Sequence, residues 1–172
     1  MSEPPVVYLT REIPQDGLDL LEKHCEVYVW PDPIEPTHDH LVERLAELEA
    51  DALYCNVADT VDEAVLDASP NLRAIGTISV GYDHIDLEAA RERGIPVGHT
   101  PGVLAATTAA LGWALLMAGA RRIVEAHGQV RDDEWETWGP TVLLGRDVHE
   151  ATLGVVGPGR IRTGFARRAA GF

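Results

Sequence analysis

Basic side chains are scarce in this sequence. Lys23 is the only lysine, and the 14 bases stand against 28 acids, a net charge of −14. A field of that sign repels phosphate backbones and excludes an ordinary nucleic-acid binder, which needs a basic footprint. Cysteine is scarce too. Cys25 and Cys55 are too few and too far apart for a disulfide framework or a zinc site, and Cys55 reads as a small core hydrophobe in "ALYCNV". Aromatics reach only 6%, yet hydrophobic residues at 45% can still furnish a core, so a disordered chain is excluded. The opening "MSEPPVVYLTREIPQDG" lacks a basic stretch followed by an apolar one, so no secretory signal is read and a reduced, cytoplasmic protein is expected. Many acids with almost no lysine fit a halophilic chain kept soluble by surface carboxylates, the alternative being an acidic protein of ordinary salt.

Charge is missing altogether between His99 and Arg121, "HTPGVLAATTAALGWALLMAGAR". The run is long enough for a membrane span, but it is rich in Ala, Thr and Gly and follows a soluble pattern. A helix over 103–120, packed closely inside a protein, is the expected reading, with no membrane.

What is present is alternation. "VVYLT" (6–10), "EVYVW" (26–30), "DALYCNV" (51–57), "LRAIGTISV" (72–80) and "IPVGHTP" (95–101) read as five strands. Between them lie helical stretches: one carries Leu18, Leu20 and Leu21, another Leu41, Leu45 and Leu48, and "VDEAVLDAS" and "LEAARERG" are shorter. Thr37 and Asp86 are expected N-caps, Gly94 a C-terminal stop, and Pro31, Pro33 and Pro36 break regular structure. Strand and helix alternating five times predict an α/β fold, an open, mostly parallel sheet with helices on both faces. Beyond Arg121 the chain reads as polar and loop-rich, with Trp135 and Trp138 isolated, before a strand over 153–157 and a helix begin a second α/β unit.

Two stretches can carry chemistry. In "GVVGPGRIRTGF", Gly157 and Gly159 match the first two glycines of a dinucleotide turn, one for the bend and one for close approach of a pyrophosphate. The amides of Arg160 and Ile161 open the following helix, where anions bind. Pro158 supplies no N–H, and Arg162 stands where the third glycine is expected. In "SVGYDHID", a strand ending in Ser-Val-Gly exposes amides that can hold a small carboxylate, although an ordinary turn capped by Asp86 has the same pattern. His38 and His40, two apart on a helix, make a poor metal pair, and no metal is expected. With His24, His127 and His149 they read as surface residues, while His84, in the turn after Gly81, is placed either against substrate or, the favoured reading, in a solvated turn.

The stretches "ISVGYDHIDLEAARERGIPVGHTPGVL", "WALLMAGARR", "VLLGRDVHEATLGVVGPGRI" and "ARRAAGF", in this order, resemble the D-isomer-specific 2-hydroxyacid dehydrogenases, with glyoxylate reductases the nearest branch. The resemblance runs over nearly all 172 residues and implies the N-terminal part of such an oxidoreductase. It implies a flavodoxin-like substrate domain (1–101), a linking helix (102–122), and an arm with the start of a truncated Rossmann domain (123–172). Val80 and Gly81 would hold the carboxylate of a small 2-keto or 2-hydroxy acid, with Asn56 on a neighbouring loop. Gly157, Gly159, Arg160 and Ile161 would meet the pyrophosphate of NAD or NADP, and Thr108 would lie near the nicotinamide. The family's catalytic Arg, Glu and His would lie beyond Phe172, so no catalytic residue is assigned and the chain alone is expected to be inactive. The full-length enzyme is expected to be a homodimer. His99 stands where the family usually has Asn, and Ala106 and Ala110 where it has acids. A stand-alone flavodoxin-like binding or dimerisation module is the alternative.

Overall fold

The computed structural model describes residues 3–172. The chain divides into two compact units, Met1–Pro101 and Gly102–Phe172.

The first unit is built on five parallel strands: β1 (Val6–Leu9), β2 (Glu26–Val29), β3 (Ala52–Cys55), β4 (Ala74–Thr77) and β5 (Val97–Gly98). Their order in the sheet is β2-β1-β3-β4-β5. In β1 the successive residues Val7, Tyr8 and Leu9 are all buried. Neighbouring side chains on a strand point to opposite faces, so both faces of β1 are covered, as a parallel sheet requires. Between the strands run α1 (Gln15–Glu22), α2 (His38–Glu47), α3 (Glu63–Leu66) and α4 (Leu87–Glu92). Leu41 and Leu45 of α2 are fully buried in one core cluster with Leu53, Val65 and Ile75, each such side chain contributing roughly 1.5–3 kcal/mol of apolar burial.

Short helices need their ends satisfied. Thr37 accepts from His40 N–H at 3.3 Å, Asp62 from Val65 N–H at 3.1 Å and Asp86 from Ala89 N–H at 2.9 Å. After α4, Gly94 has φ +68°, and the amides of Gly94 and Ile95 return to the carbonyls of Arg91 and Ala90. That pair of bonds closes the last turn and aims the chain into β5. After α2 the same pair runs from Glu49 and Ala50 to Ala46 and Leu45, with Glu49 at φ 47°.

The second unit contains α5 (Ala105–Ala120), α6 (Ile123–Arg131) and α7 (Arg160–Arg168), then a short 3-10 turn (Ala169–Gly171). None of the helices of the described residues is long and apolar enough to cross a membrane. α5 packs on α7 through a glycine on each helix: a Cβ on Gly112 would lie 2.9 Å from the Phe165 ring, and one on Gly164 3.4 Å from Ala109.

Two expectations are corrected here. The polar stretch after Arg121 is not all loop, since Ile123–Arg131 is helical. Arg122, at φ 53°, breaks the chain between α5 and α6, so the two helices are separate elements. The strand expected at 153–157 is not formed: among the described residues those positions join no strand ladder, and a lone extended segment has none to define it. Only the helix half of that unit is present as regular structure.

Candidate functional site

In a parallel sheet the loops that leave the carboxyl ends of the strands gather along one edge, where open α/β sheets bind their ligands. Cys55 of β3 is in register with Thr77 of β4, so the loops opening at Asn56 and Ile78 are neighbours, joined by a bond from Ile78 N–H to the Cys55 carbonyl (3.1 Å).

The loop after β4 is tied down by its carbonyls. Ser79 O accepts from Thr100 N–H (2.8 Å) and from Thr100 Oγ1 (3.0 Å). Val80 O lies 3.0 Å from His99 Nδ1, and Gly81 O accepts from Ser79 Oγ at 2.5 Å. The N–H groups of Val80 and Gly81 donate to no acceptor among the described residues. Val80 is half-buried and Gly81 exposed. Asn56 is half-buried, and its Oδ1 accepts from Ala58 N–H at 2.7 Å, which leaves Nδ2 as the free end of the amide.

Beneath these loops lies a polar layer that sequence reading passed over. Buried Asp59 accepts from Thr10 Oγ1 (2.6 Å) and from Asn56 N–H (2.8 Å), fixing the β3 loop against the end of β1. Thr77 Oγ1 lies 2.8 Å from Ser79 Oγ and 3.1 Å from His84 Nε2. His84 is therefore half-buried in a network, which corrects its reading as part of a solvated turn. The available signal was the spacing of Thr77 and Ser79, two polar residues on one face of an apolar strand. Burial, with the charge of Asp59, pushes the Cys55 thiol up to about 12, so it remains a thiol and no nucleophile.

The dinucleotide-type residues lie in the second unit. Gly157 has φ +92°, and a Cβ there would collide with the Arg162 guanidinium, which folds back over the turn. Gly159 is the N-cap of α7 and no atom lies within 4 Å of where its Cβ would be, so the backbone there is open to close approach. The first amides of α7, on Arg160 and Ile161, have no side-chain cap. Arg160 places its guanidinium beside Gly102, 3.6 Å from the point a Cβ there would occupy. An open cavity of about 430 Å³ is lined by Val155, Gly157, Pro158, Arg162, Thr163 and Ala166. Thr108 is exposed in the first turns of α5, and its side chain has no hydrogen bond among the described residues.

Residues 7–156 match the family described as D-isomer specific 2-hydroxyacid dehydrogenase, catalytic domain. The chain belongs to that family. It is 47% identical over 169 residues to a glyoxylate reductase of Korarchaeum cryptofilum, covering 98% of this chain and 50% of that protein. A glyoxylate reductase of Thermococcus litoralis is 46% identical over 172 residues, with 98% and 51% covered. The chain thus spans about half the length of the curated relatives it matches. Among solved structures, the TT0316 protein of Thermus thermophilus superposes with a TM-score of 0.89 at 46% identity, over 96% of this chain and 53% of that one. A D-lactate dehydrogenase of Aquifex aeolicus, complexed with NAD and lactic acid, gives a TM-score of 0.73 at 25% identity, over 96% and 48%.

Proposed function

We propose that this dehydrogenase-family chain receives the carboxylate of a small 2-keto acid such as glyoxylate and supplies the opening turn of a nicotinamide-cofactor site. The observation that carries the reading is the loop at the end of β4, where the carbonyls of Ser79, Val80 and Gly81 are tied while the amides of Val80 and Gly81 meet no acceptor among the described residues. Two neighbouring N–H groups can both donate to one carboxylate. Asn56 Nδ2, on the next loop, offers a third donor.

For the cofactor, the open backbone at Gly159 and the uncapped amides of Arg160 and Ile161 fit a pyrophosphate, and Arg160 adds a cation. Thr108 would border the nicotinamide side. The nicotinamide, when bound, supplies the hydride. This chain's own residues bind and orient: Val80 and Gly81 fix one end of the substrate, and such fixing is itself a large part of a rate. NAD and NADP remain equal on this reading, because a pyrophosphate turn meets a part common to both.

The deciding experiment is titration of the 15N-labelled chain with oxalate, an unreactive mimic of glyoxylate. Saturable shifts at the amides of Val80 and Gly81 and at Asn56 Nδ2 are expected, and their absence would sink the reading. A parallel assay with glyoxylate and NADH or NADPH should show no turnover by the chain alone, because none of its residues is assigned to proton transfer. A dimerisation module is the second reading, favoured by exposed Leu115, Val124 and Trp138. Homodimerisation is compatible with both readings, so only carboxylate binding separates them.

A further inference from the structure

A peptide unit is planar and trans, so the carbonyl of one residue and the N–H of the next point in opposite directions. The described chain has no cis peptide. The tie from Thr100 to Ser79 O therefore aims the Val80 N–H, and the tie from His99 to Val80 O aims the Gly81 N–H. A carbonyl only accepts, so His99 Nδ1 must carry the proton in this bond at 3.0 Å. The imidazole is itself steadied by an edge-on contact with Tyr82, ring centres 5.3 Å apart and planes at 84°. It thus touches the loop on both sides of Gly81. Glycine has the widest choice of backbone angles, so Gly81 is the point where an untied peptide would turn most freely.

We infer that His99 is a positioning residue, which holds the Val80–Gly81 peptide so that the Gly81 N–H is presented to the substrate carboxylate. This inference rests on the carboxylate reading above. The part of His99 that acts is one N–H, attached to the carbon next to Cβ. Asn carries an N–H at that same place, Gln carries it one bond further out, and Leu carries none.

The test compares wild type with His99→Asn, His99→Gln and His99→Leu in the 15N-labelled 172-residue chain, using oxalate as the probe. Backbone relaxation at Gly81 is measured first without ligand, with Ile75 in β4 as the folded control. Wild type and His99→Asn should keep Gly81 rigid, with order parameters of about 0.85, while His99→Leu should let it fall toward roughly 0.6. Oxalate affinity should be retained by His99→Asn and weakened roughly fivefold in His99→Leu, the scale of one hydrogen bond, with His99→Gln closer to the latter. Equal Gly81 order and equal affinity in His99→Leu and wild type would overturn the inference, as would failure of His99→Asn to rescue. If wild type gives no oxalate response but His99→Leu still loosens Gly81, the carboxylate reading falls and the tether stands. Ile75 resonances that stay in place show that the variants are folded.

Discussion

The indole Nε1 of Trp113 donates to the backbone carbonyl of Phe165 at 2.6 Å, across the contact between α5 and α7. The same indole stacks on the Phe165 and Phe172 rings, with centres 5.2 and 4.6 Å apart. Trp113 is buried, and with Ala109 it makes up the buried set of α5. Trp113→Ala should therefore cost roughly 3–5 kcal/mol and release α7, while Trp113→Phe should cost about 1 kcal/mol through the lost bond. Hydrogen exchange reads this directly: amides of 160–168 should lose protection in the alanine variant, and those of β3 should keep it.

Glu49 ends α2 in a left-handed conformation at φ 47°, a position where a side chain is unfavourable and glycine is not. Its backbone bonds to Ala46 and from Asn71 use no atom of the Glu49 side chain. Glu49→Gly should stabilise the chain by roughly 0.5–1 kcal/mol, even after the cost of a freer unfolded chain. A thermal melt checks it, and a lowered midpoint would count against this account.

His38 Nε2 lies 3.0 Å from Asp62 Oδ1, linking α2 to the cap of α3. That bond holds the His38 pKa above its ordinary 6.5, against a smaller opposing effect of burial. For Asp62, burial acts upward, but the bonds from His38 and from Val65 N–H outweigh it, so its carboxyl lies below the ordinary range. The His38 contribution to stability is full below 6.5 and is lost as pH rises through its raised value. The Asp62 contribution is present above the ordinary carboxylate range and lost as pH falls through its lowered value. Stability from this pair is thus greatest between the two. Asp62→Asn keeps the cap and removes the charge, so the imidazole titration followed by NMR should move back toward 6.5.

Cys25 is partly accessible and Cys55 is buried with its thiol pushed up to about 12. A disulfide reagent at neutral pH should therefore label Cys25 in the native chain, and Cys55 only after denaturant is added. Rapid labelling of both would mean that the β3 end opens far more readily than its packing implies.

The five strands were legible because each is a local apolar run, and the caps Thr37 and Asp86 because a cap is read from a few adjacent residues. Helix α6 was not legible: Ile123, Ala126 and Val130 of "IVEAHGQVR" make only a thin apolar stripe among polar residues, and the helix buries none of its residues. The failed strand at 153–157 has the opposite cause. Its sequence is strand-like, but a strand exists only through a neighbour, and local composition does not supply one. At the candidate site, the Ser-Val-Gly strand end was legible as a place where amides are exposed, while the role proposed for Val80 and Gly81 came from the family resemblance. The ties that give them their form, from His99, Thr100 and Ser79, reach across the chain or hide in a hydroxyl, and no period or spacing marks them.

The carbonyls at Ser79, Val80 and Gly81 have one more consequence, in the thermodynamics of recognition. A flexible loop gives up rotational freedom when a ligand orders it, and that loss subtracts from affinity. Here much of that loss is already incurred on folding, since the carbonyls of Ser79, Val80 and Gly81 have their partners before any ligand arrives. A small anion meeting these amides exchanges water for fixed donors with little further ordering of the chain. Calorimetry should then show binding carried by enthalpy, with a small heat-capacity change, because hardly any apolar surface is covered.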